Sequence, residues 1–500
     1  MLIEGVDDLM HFCVLLSIIV RVAVSRFPYS GAGKPPMYGD YEAQRHWMEI
    51  TVNLPPNDWY KNSSQNDLMY WGLDYPPLTA YHSFLCGRVA KWINPNWVAL
   101  NTSRGFEGYY HKIFMRSTVL VSDLIFYIPL ILYWSIVQRP WNLRNKAIAA
   151  GLCLLYPGLI LIDHGHFQNL FSLALFIYNS VSLGLTLWAI VFLMRGQDLA
   201  GAAVFTMALH YKQMSLYYAI PFFCYLLGCC LKLKGLFRIA KFLNLSCIVI
   251  VMSSMCWLPF LRSFEDTLAV MERIFPFSRG LYEDKVANIW YMLSIIIKWK
   301  SIFSTASLVK ISTLSTILAV LPSSIHLVRN PSLHKFRLSL ANVSLAFFMF
   351  SFQVHEKTIL FPALPVLLLL EDHPLACVWF GYISTFSLVP LLAKDGLMIP
   401  FMALSALFII GAIRAYEDLI LSFKNNAKIS SLAFGISILG SLILIIAMYK
   451  VKQPDRYPHL HVLLNSVYCG IHFVGFLLYF NYLQFKESPY NLYSKKIKYN

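Results

Sequence analysis

Asp40, in the run Gly-Asp-Tyr-Glu, is a candidate general base, because the cations Arg45 and His46 follow it closely. A carboxylate held beside cations can take a proton from a substrate hydroxyl group. The same aspartate also precedes a helical pattern. It could therefore be only an N-cap residue, which stabilises a helix by about 1 kcal/mol. The residues alone leave both roles open.

A second aspartate, Asp74, precedes Tyr75-Pro76-Pro77. Proline is favoured as the first residue of a helix, so Pro77 predicts a helix start. Asp74 could contact a substrate, or it could only stabilise the turn that leads into this helix.

Ionisable residues also occur at the ends of apolar runs. His355-Glu356-Lys357 is the strongest such cluster, and ionisable groups at membrane depth are functional candidates. Its donors could bind an anionic leaving group such as a phosphate. Alternatively, Lys357 could extend to the membrane interface and pair with Glu356. Weaker candidates of the same kind are Arg279, Glu283, Lys285, Lys212 and Gln213.

Metal and nucleotide motifs are missing from the sequence. It contains no P-loop, no H-E-x-x-H and no D-x-D, so it offers no carboxylate pair to hold a divalent cation on a nucleotide sugar. Asp163, His164 and His166 look like metal ligands, but one turn of ligands without a fourth partner is a poor metal site. We therefore expect no metal and no cofactor.

The elements that position these residues must lie in a membrane. Hydrophobic residues make up 57% of the 500 residues and charged residues only 13%, against about 25% charged in soluble proteins. The net charge of +15 could suggest nucleic acid, but the basic residues lie in small groups between apolar runs, which favours membrane topology. The ten cysteines include no C-x-x-C pair, so neither a disulfide framework nor a zinc site is expected.

Fourteen apolar runs predict an all-α polytopic protein that forms a single membrane domain over residues 1–500. The runs at 199–211 and 358–370 are short enough to be half-helices inside a bundle. After Asp40, the spacing of Trp47, Ile50, Thr51 and Leu54 predicts an amphipathic helix lying on the membrane. The predicted runs are 9–26, 114–137, 147–162, 170–194, 199–211, 214–231, 242–262, 306–328, 337–352, 358–370, 375–393, 396–413, 430–449 and 460–485.

Two polar stretches, 27–113 and 263–305, hold 12 of the 26 acidic residues. We interpret 286–303 within the second stretch as a surface helix. Short loops on the side of the N-terminus then carry 18 Lys and Arg against 6 on the other side. This bias predicts a cytosolic N-terminus and a cytosolic tail at 486–500, with both polar stretches on the opposite side of the membrane. The sequons at Asn62 and Asn101 fall in the first stretch.

Several strings resemble the dolichyl-phosphate-glucose-dependent glucosyltransferases of asparagine-linked glycan assembly. The resemblance covers residues 28 to 395. It implies a GT-C-type fold in the endoplasmic reticulum membrane, a lumenal active site, a lipid-phosphate sugar donor, no metal, and Asp40 as the base. The strings are YSGAGKPPMYGDYEAQRHWMEIT, YWGLDYPPLTAYHS, SRGFE, MRSTVLVSD, DHGHFQ, YKQM, RIFPFSRGLYEDKVANIW and FQVHEKTILFPALP.

Within this family, LTAYHS and GAGKPP resemble the member that adds the first glucose. That implies an α-1,3 transfer to the lipid-linked oligosaccharide Man9GlcNAc2-PP-dolichol. The alternatives are the second-glucose enzyme and, from another class, a polytopic lipid-sugar transporter. His355, Glu356, Lys357 and Arg279 are the candidate ligands of the donor phosphate. The other candidate acceptor or donor contacts are Glu42, Arg45, His46, Asp74, Tyr75, His82, His166, Gln168, Lys212, Gln213 and Glu283.

The sequence departs from the family pattern at one place. Nine extra residues, 169–177, separate Phe167-Gln168 from Tyr178-Asn179-Ser180. In a continuous helix they would displace Tyr178 by about 13 Å along the axis. Either the residues before the insertion or those after it then lose their family positions.

Overall fold

The computed structural model describes residues 4–138, 143–166, 179–275, 285–417 and 425–486. Five expectations fall outside these ranges. They concern Arg279, Glu283, Gln168, the insertion at 169–177 and the tail beyond residue 486.

The chain divides into two compact units. Unit 1 comprises Met1–Leu216, Ala240–Arg279 and Leu388–Ala433, and it holds the first polar stretch with Asp40. Unit 2 comprises Tyr217–Ile239, Gly280–Ser387 and Phe434–Asn500, and it holds His355, Glu356 and Lys357. The expectation of a single membrane domain stays a prediction.

Nine helices within the described ranges are long and apolar enough to cross a membrane, and each coincides with a predicted apolar run. In Ile429–Lys450, for example, Leu432, Ile436 and Leu439 are exposed, as expected of side chains that face lipid rather than water. The chain is thus an all-helical, multi-pass membrane protein, as predicted. The nine helices are Tyr109–Val137, Leu143–His166, Gln213–Leu231, Leu236–Phe260, Thr305–Arg329, Pro374–Lys394, Met398–Ala415, Ile429–Lys450 and Leu460–Phe485.

The five remaining runs also contain helices. Two of them are short, as predicted: Asp198–Tyr211, and Leu360–Leu367, which is buried along its whole length. The first run forms helix α1, Glu4–Val24, whose sequence contains three acidic residues near its start and Arg21 near its end. The other two helices are Asn179–Met194 and Leu333–Phe350.

Helix α2, Gly39–Asn53, forms where the spacing after Asp40 predicted a helix. Every residue from Gly39 to Thr51 is buried, so other parts of the chain cover α2, and its position on the membrane stays a prediction. The polar face of α2 carries Arg45 and Glu49, and residues 97–103 cover it by bonding to these side chains. The periodicity identified the helix correctly but could not show this cover.

The start of α2 also differs from expectation. The N-cap residue is Tyr38, with φ 50°, and its side chain makes no capping hydrogen bond. Gly39 follows with φ 72°, so the chain turns sharply and Asp40 lies inside the first helical turn. The proposed N-cap role of Asp40 is therefore not observed. Pro77 does begin the next helix, α3, Pro77–Ile93, as predicted.

Residues 286–303 do not form the single surface helix that we expected. They form two short helices, Ile289–Leu293 and Trp299–Ile302. The ring centroids of Trp290 and Trp299 are 5.3 Å apart, and the Trp299 indole donates to the Trp290 carbonyl at 3.0 Å. Nine residues of continuous helix would separate these two residues by about 13.5 Å. Packing of the two indoles against Leu308 favours the break.

Glycine is required at residue 105 for two reasons. Gly105 has φ 72°, and a Cβ there would lie 2.5 Å from the Tyr38 ring. Gly33 in the same stretch has φ 64° but would meet nothing within 4 Å. Alanine in the left-handed region costs about 1–2 kcal/mol. We expect Gly33→Ala to lower stability by about that amount and Gly105→Ala by clearly more, measured by thermal unfolding in detergent. Equal losses would contradict the proposed Tyr38 contact.

Candidate active site

Asp40 lies where two loops of unit 1 fold onto the start of α2. Tyr29 Oη donates to Glu107 Oε1 at 2.8 Å, and the Gly33 amide donates to both Glu107 oxygens at 3.0 and 2.9 Å. Asp40 is 7% exposed. The positive end of the helix dipole favours a negative charge at this position. The Asp40 carboxylate is thus mostly buried, with a small exposed part, at the start of a helix.

The residue after Asp40 fastens this turn. The Tyr41 ring stacks on Tyr29 with centroids 4.5 Å apart, and Tyr41 Oη lies 2.7 Å from His111 Nδ1. Burial raises the pKa of Tyr41, so its phenol stays neutral. The backbone of Asp40 is therefore tied to the loop through Tyr41.

Arg45 forms the centre of a buried ion cluster on α2. Its Nε and Nη2 donate to the two Glu42 oxygens at 2.7 and 2.6 Å, and Nη2 also donates to Glu49 Oε2 at 2.6 Å. Its Nη1 donates to the Ser103 hydroxyl. Two-point pairing of a guanidinium with a carboxylate is strong and directional. The cluster joins one face of α2 to the loop around residue 103.

Glu49 was not identified by sequence reasoning, although its spacing from Arg45, i to i+4, was a usable signal. It accepts hydrogen bonds from the Asn101 amide at 2.6 Å and the Ser103 hydroxyl at 3.1 Å, and its Oε2 lies 3.2 Å from His46 Nδ1. Burial alone would raise the pKa of Glu49. The hydrogen bond with His46 and the charge of Arg45 outweigh burial and lower this pKa to about 2.

Glu42, Arg45 and His46, which were predicted to contact a substrate, all take part in this cluster. All three side chains are buried, and the Arg45 guanidinium is already bonded within the protein. Tyr70 Oη adds a hydrogen bond to Glu42 Oε1 at 2.9 Å. A substrate role for these residues stays a prediction. Their observed contacts join α2 to the loop at residues 97–103.

Asp74 and Tyr75 are buried at the turn before α3. Their backbone carbonyls accept from Gln213 Nε2 at 3.3 Å and from Tyr60 Oη at 2.6 Å, respectively. The structure therefore brings Gln213, a predicted contact, to the same turn as Asp74. Whether the two side chains bind a substrate stays a prediction.

A helix of the second polar stretch, Phe264–Ile274, is fastened to this turn in unit 1. Arg273 donates to the carbonyls of Leu73 and Gly72 at 3.1 and 2.8 Å. Lys61 and Asp266 form an ion pair. Residues from both polar stretches, Tyr60 and Arg273, thus donate to the backbone between Gly72 and Tyr75.

His82 and Lys212 are directed to separate partners. His82 Nδ1 lies 2.7 Å from Tyr211 Oη, and burial lowers the pKa of His82 to about 4, so the imidazole is neutral near pH 7. Lys212 is fully buried and donates to Asn179 Oδ1 at 2.5 Å. Asn179 in turn donates to Asp163 Oδ1 at 2.6 Å.

The side chains of Asp163, His164 and His166 point to three different partners. Asp163 bonds Asn179, His164 Nε2 lies 2.9 Å from Asp123 Oδ2, and His166 pairs with Asp395. Among the residues that the structure describes, no group of three His, Cys, Asp or Glu could hold a metal ion. The predicted substrate contact of His166 stays a prediction.

A buried ion network in unit 1 was missed at the level of sequence. Arg21 Nε donates to Asp123 Oδ2 at 2.5 Å, and His164 shares the same oxygen. The available signal was the presence of Arg21 and Asp123 inside apolar runs, where an ionisable residue is costly unless it is paired. The pairing itself joins residues 102 positions apart and has no local pattern.

In unit 2, a short 3₁₀ helix, Glu356–Ile359, leads into Leu360–Leu367. His355 is 8% exposed and Lys357 7% exposed, so both lie mostly inside the protein. The Thr358 hydroxyl is buried and has no hydrogen-bond partner among the described residues. Hydrogen-bond donors of these types can bind an anion, and their role in binding the donor phosphate stays a prediction.

The low pKa of Glu49 predicts a pH-dependent stability. The folded pKa of about 2 lies below the ordinary value of 4.5, so the ionised form stabilises the fold above pH 4.5 and this contribution is lost as the pH falls towards 2. We expect Glu49→Gln to lower stability by roughly 3–5 kcal/mol at pH 7, and the difference from wild type to shrink between pH 5 and 3. Unfolding temperatures across this range test it. The exposed Glu265→Gln is the control, and a constant difference would contradict the prediction.

Comparison with known proteins places the whole chain in one family. Residues 17–480 match the ALG6, ALG8 glycosyltransferase family. The chicken (Gallus gallus) "Dolichyl pyrophosphate Man9GlcNAc2 alpha-1,3-glucosyltransferase" is 47% identical over 515 residues, covering 98% of this chain and 99% of that protein. A Dictyostelium discoideum protein called "Probable dolichyl pyrophosphate Man9GlcNAc2 alpha-1,3-glucosyltransferase" is 45% identical, covering 93% of each chain.

Two crystal structures of ArnT from Cupriavidus metallidurans also align. The apo structure matches 96% of this chain and 78% of its own, with 14% identity and a TM-score of 0.45. The structure bound to undecaprenyl phosphate matches 95% of this chain and 76% of its own, with 15% identity and a TM-score of 0.42. From the full-length relatives and the family match, the chain belongs to the ALG6, ALG8 glycosyltransferase family.

Proposed function

We propose that this glycosyltransferase moves glucose from dolichyl-phosphate-glucose to the 3-hydroxyl of a terminal mannose on Man9GlcNAc2-PP-dolichol. One observation carries the choice of acceptor. The relatives from chicken and Dictyostelium match nearly the full chain at 45–47% identity, and both names specify α-1,3-glucosyl transfer to this oligosaccharide. That agreement favours the first-glucose over the second-glucose reaction. A transporter is disfavoured by the family.

Asp40 is the proposed base of an inverting, single-displacement reaction. A β-linked donor that gives an α product needs one attack, so one carboxylate suffices to take the proton from the mannose hydroxyl. The attacking oxygen bonds the glucose anomeric carbon as the bond to the phosphate breaks. Support comes from the position of Asp40, which is mostly but not fully buried and is followed by Tyr41, a residue bonded to the surrounding loops.

The proposed leaving group is dolichyl phosphate, which leaves as an anion and needs positive charge and hydrogen-bond donors rather than a proton. His355 and Lys357 are the proposed ligands of this phosphate. Both lie on one short segment of unit 2 and are mostly buried, where charge interactions are stronger than in water. Arg279 is proposed as a further ligand from the sequence alone. The fold is proposed to be of the GT-C type.

The proposed location is the endoplasmic reticulum membrane, with Asp40 on the lumenal side. The distribution of Lys and Arg supports this orientation. The pathway implied by the relatives' names supports the compartment.

Replacing Asp40 tests the reaction. We expect Asp40→Asn to lower kcat by about 10²- to 10⁴-fold with little change in KM, in an assay of the purified protein with synthetic donor and acceptor. Asp67→Asn, an exposed carboxylate in the same stretch, is the control and should keep full activity. Both variants should stay folded at the assay temperature, as checked by thermal unfolding, with Asp40→Asn losing at most about 1 kcal/mol of stability. Normal turnover by Asp40→Asn would exclude Asp40 as the base.

The acceptor is tested in the same assay. Man9GlcNAc2 and Glc1Man9GlcNAc2 lipids should separate the two family activities, and only the first should accept glucose. The product linkage, read by glycosidase digestion, should be α-1,3. Transfer to the glucosylated acceptor alone would assign the second-glucose reaction instead.

The sequons test the orientation. Asn62 and Asn101 are exposed, so a lumenal first stretch should carry an endoglycosidase-sensitive glycan that is absent from the Asn62→Gln/Asn101→Gln double variant. A sequon tag added at the predicted cytosolic C-terminus should stay unmodified. A glycan on that tag, with none on the native sequons, would reverse the predicted topology.

A further inference from the structure

We infer that Arg21, Asp123 and His164 are positioning residues, which hold the loop before Asp40 in the geometry needed for transfer. This inference rests on the proposed function for its kinetic consequence. Its structural part stands on contacts within unit 1.

The three residues form one buried network. Asp123 Oδ2 accepts from Arg21 Nε at 2.5 Å and lies 2.9 Å from His164 Nε2, and all three side chains are at most 1% exposed. Arg21 Nη1 also donates to the backbone carbonyls of Ser17 and Leu154 at 3.0 and 2.9 Å. The network therefore links α1 to the helices that carry Asp123 and His164.

Asp123 and His164 both lie in irregular helical turns. Asp123 begins a π-helical segment, Asp123–Tyr127, and His164 belongs to another, Leu161–His166. A π turn adds a residue to the helical repeat and is often found at functional sites. Two such turns meeting at one carboxylate indicate that the position of this contact matters beyond simple helix packing.

The network connects to the loop before Asp40 through the backbone of residues 164–166. Arg116 donates to the carbonyls of His164 and Gly165, and the Ser30 amide donates to the His166 carbonyl at 2.9 Å. Ser30 follows Tyr29, whose ring stacks on Tyr41. The orientation of residues 164–166 thus fixes the loop that ends at Asp40.

Space around the connecting backbone is tight. A Cβ on Gly165 would lie 3.1 Å from both Val24 and Leu397. The Arg116 guanidinium also lies 5.9 Å from the centre of the Tyr29 ring. A shift of His164 would therefore be transmitted to the loop rather than absorbed locally.

Stability alone is a weak reason for such a network. A buried ion pair often contributes little more than apolar side chains of the same size, because both charges must be desolvated. Breaking it by removing one charge is costly, since the other is left unpaired. Removing both charges together should separate the role in stability from the role in positioning.

The test compares Asp123→Asn with the double variant Arg21→Gln/Asp123→Asn in the full-length protein. Asp123→Asn should lower both the unfolding temperature and kcat. The double variant should regain most of the unfolding temperature while kcat stays about 10²-fold low, with KM for donor and acceptor within about twofold of wild type. If kcat recovers together with stability, the network only neutralises charge and the inference is wrong.

Amide hydrogen exchange gives a readout that does not depend on glucose transfer. Both variants should exchange the amides of residues 28–41 at least about tenfold faster than wild type, while α3, at 77–93, is unchanged. Equal exchange at 28–41 would overturn the inference. If the wild-type protein transfers no glucose at all, the proposed function fails, and the exchange rates still decide whether the network positions the loop.

Discussion

Charges buried in a protein, whether within the membrane or outside it, need partners inside that protein, because neither lipid nor packed side chains solvate them. This constraint shapes unit 1. The Arg45 guanidinium requires Glu42 and Glu49, and these in turn bring the loop at residues 97–103 over α2. The Arg21 guanidinium requires Asp123, which brings α1 against a helix more than 100 residues away. Pairing these charges therefore determines how the loops meet around Asp40.

The helices were largely predictable because lipid imposes a simple rule. A segment that crosses the bilayer must be apolar over about 20 residues, and such runs stand out in any sequence. Each of the fourteen predicted runs contains a helix within the described residues. The helix after Asp40 was also predicted, since its periodicity is local. Its cover was not, because Ser103 lies 54 residues from Glu49 and no spacing rule connects them.

Some residues of the candidate site could likewise be predicted from the sequence, and others could not. Asp40, Asp74 and the His355 cluster could be found from residue type and from family resemblance. Arg21 and Asp123 could not be assigned partners, because their contact arises only when distant helices pack. For Glu49, the spacing indicated Arg45 but not Asn101 or Ser103, which lie more than 50 positions away. The break between Trp290 and Trp299 was missed for a related reason: burial of two indoles outweighs the helical preference of the segment between them.

The ion pair between Lys61 and Asp266 has a consequence for biosynthesis. These residues are separated by 205 positions, with several membrane helices between them. At about 5–20 residues per second, translation needs roughly 10 to 40 s to deliver Asp266 after Lys61. During that interval the first polar stretch has left the ribosome without the helix Phe264–Ile274 that later packs against it. Newly made chains must therefore keep this half-assembled surface soluble and correctly oriented until its partner arrives.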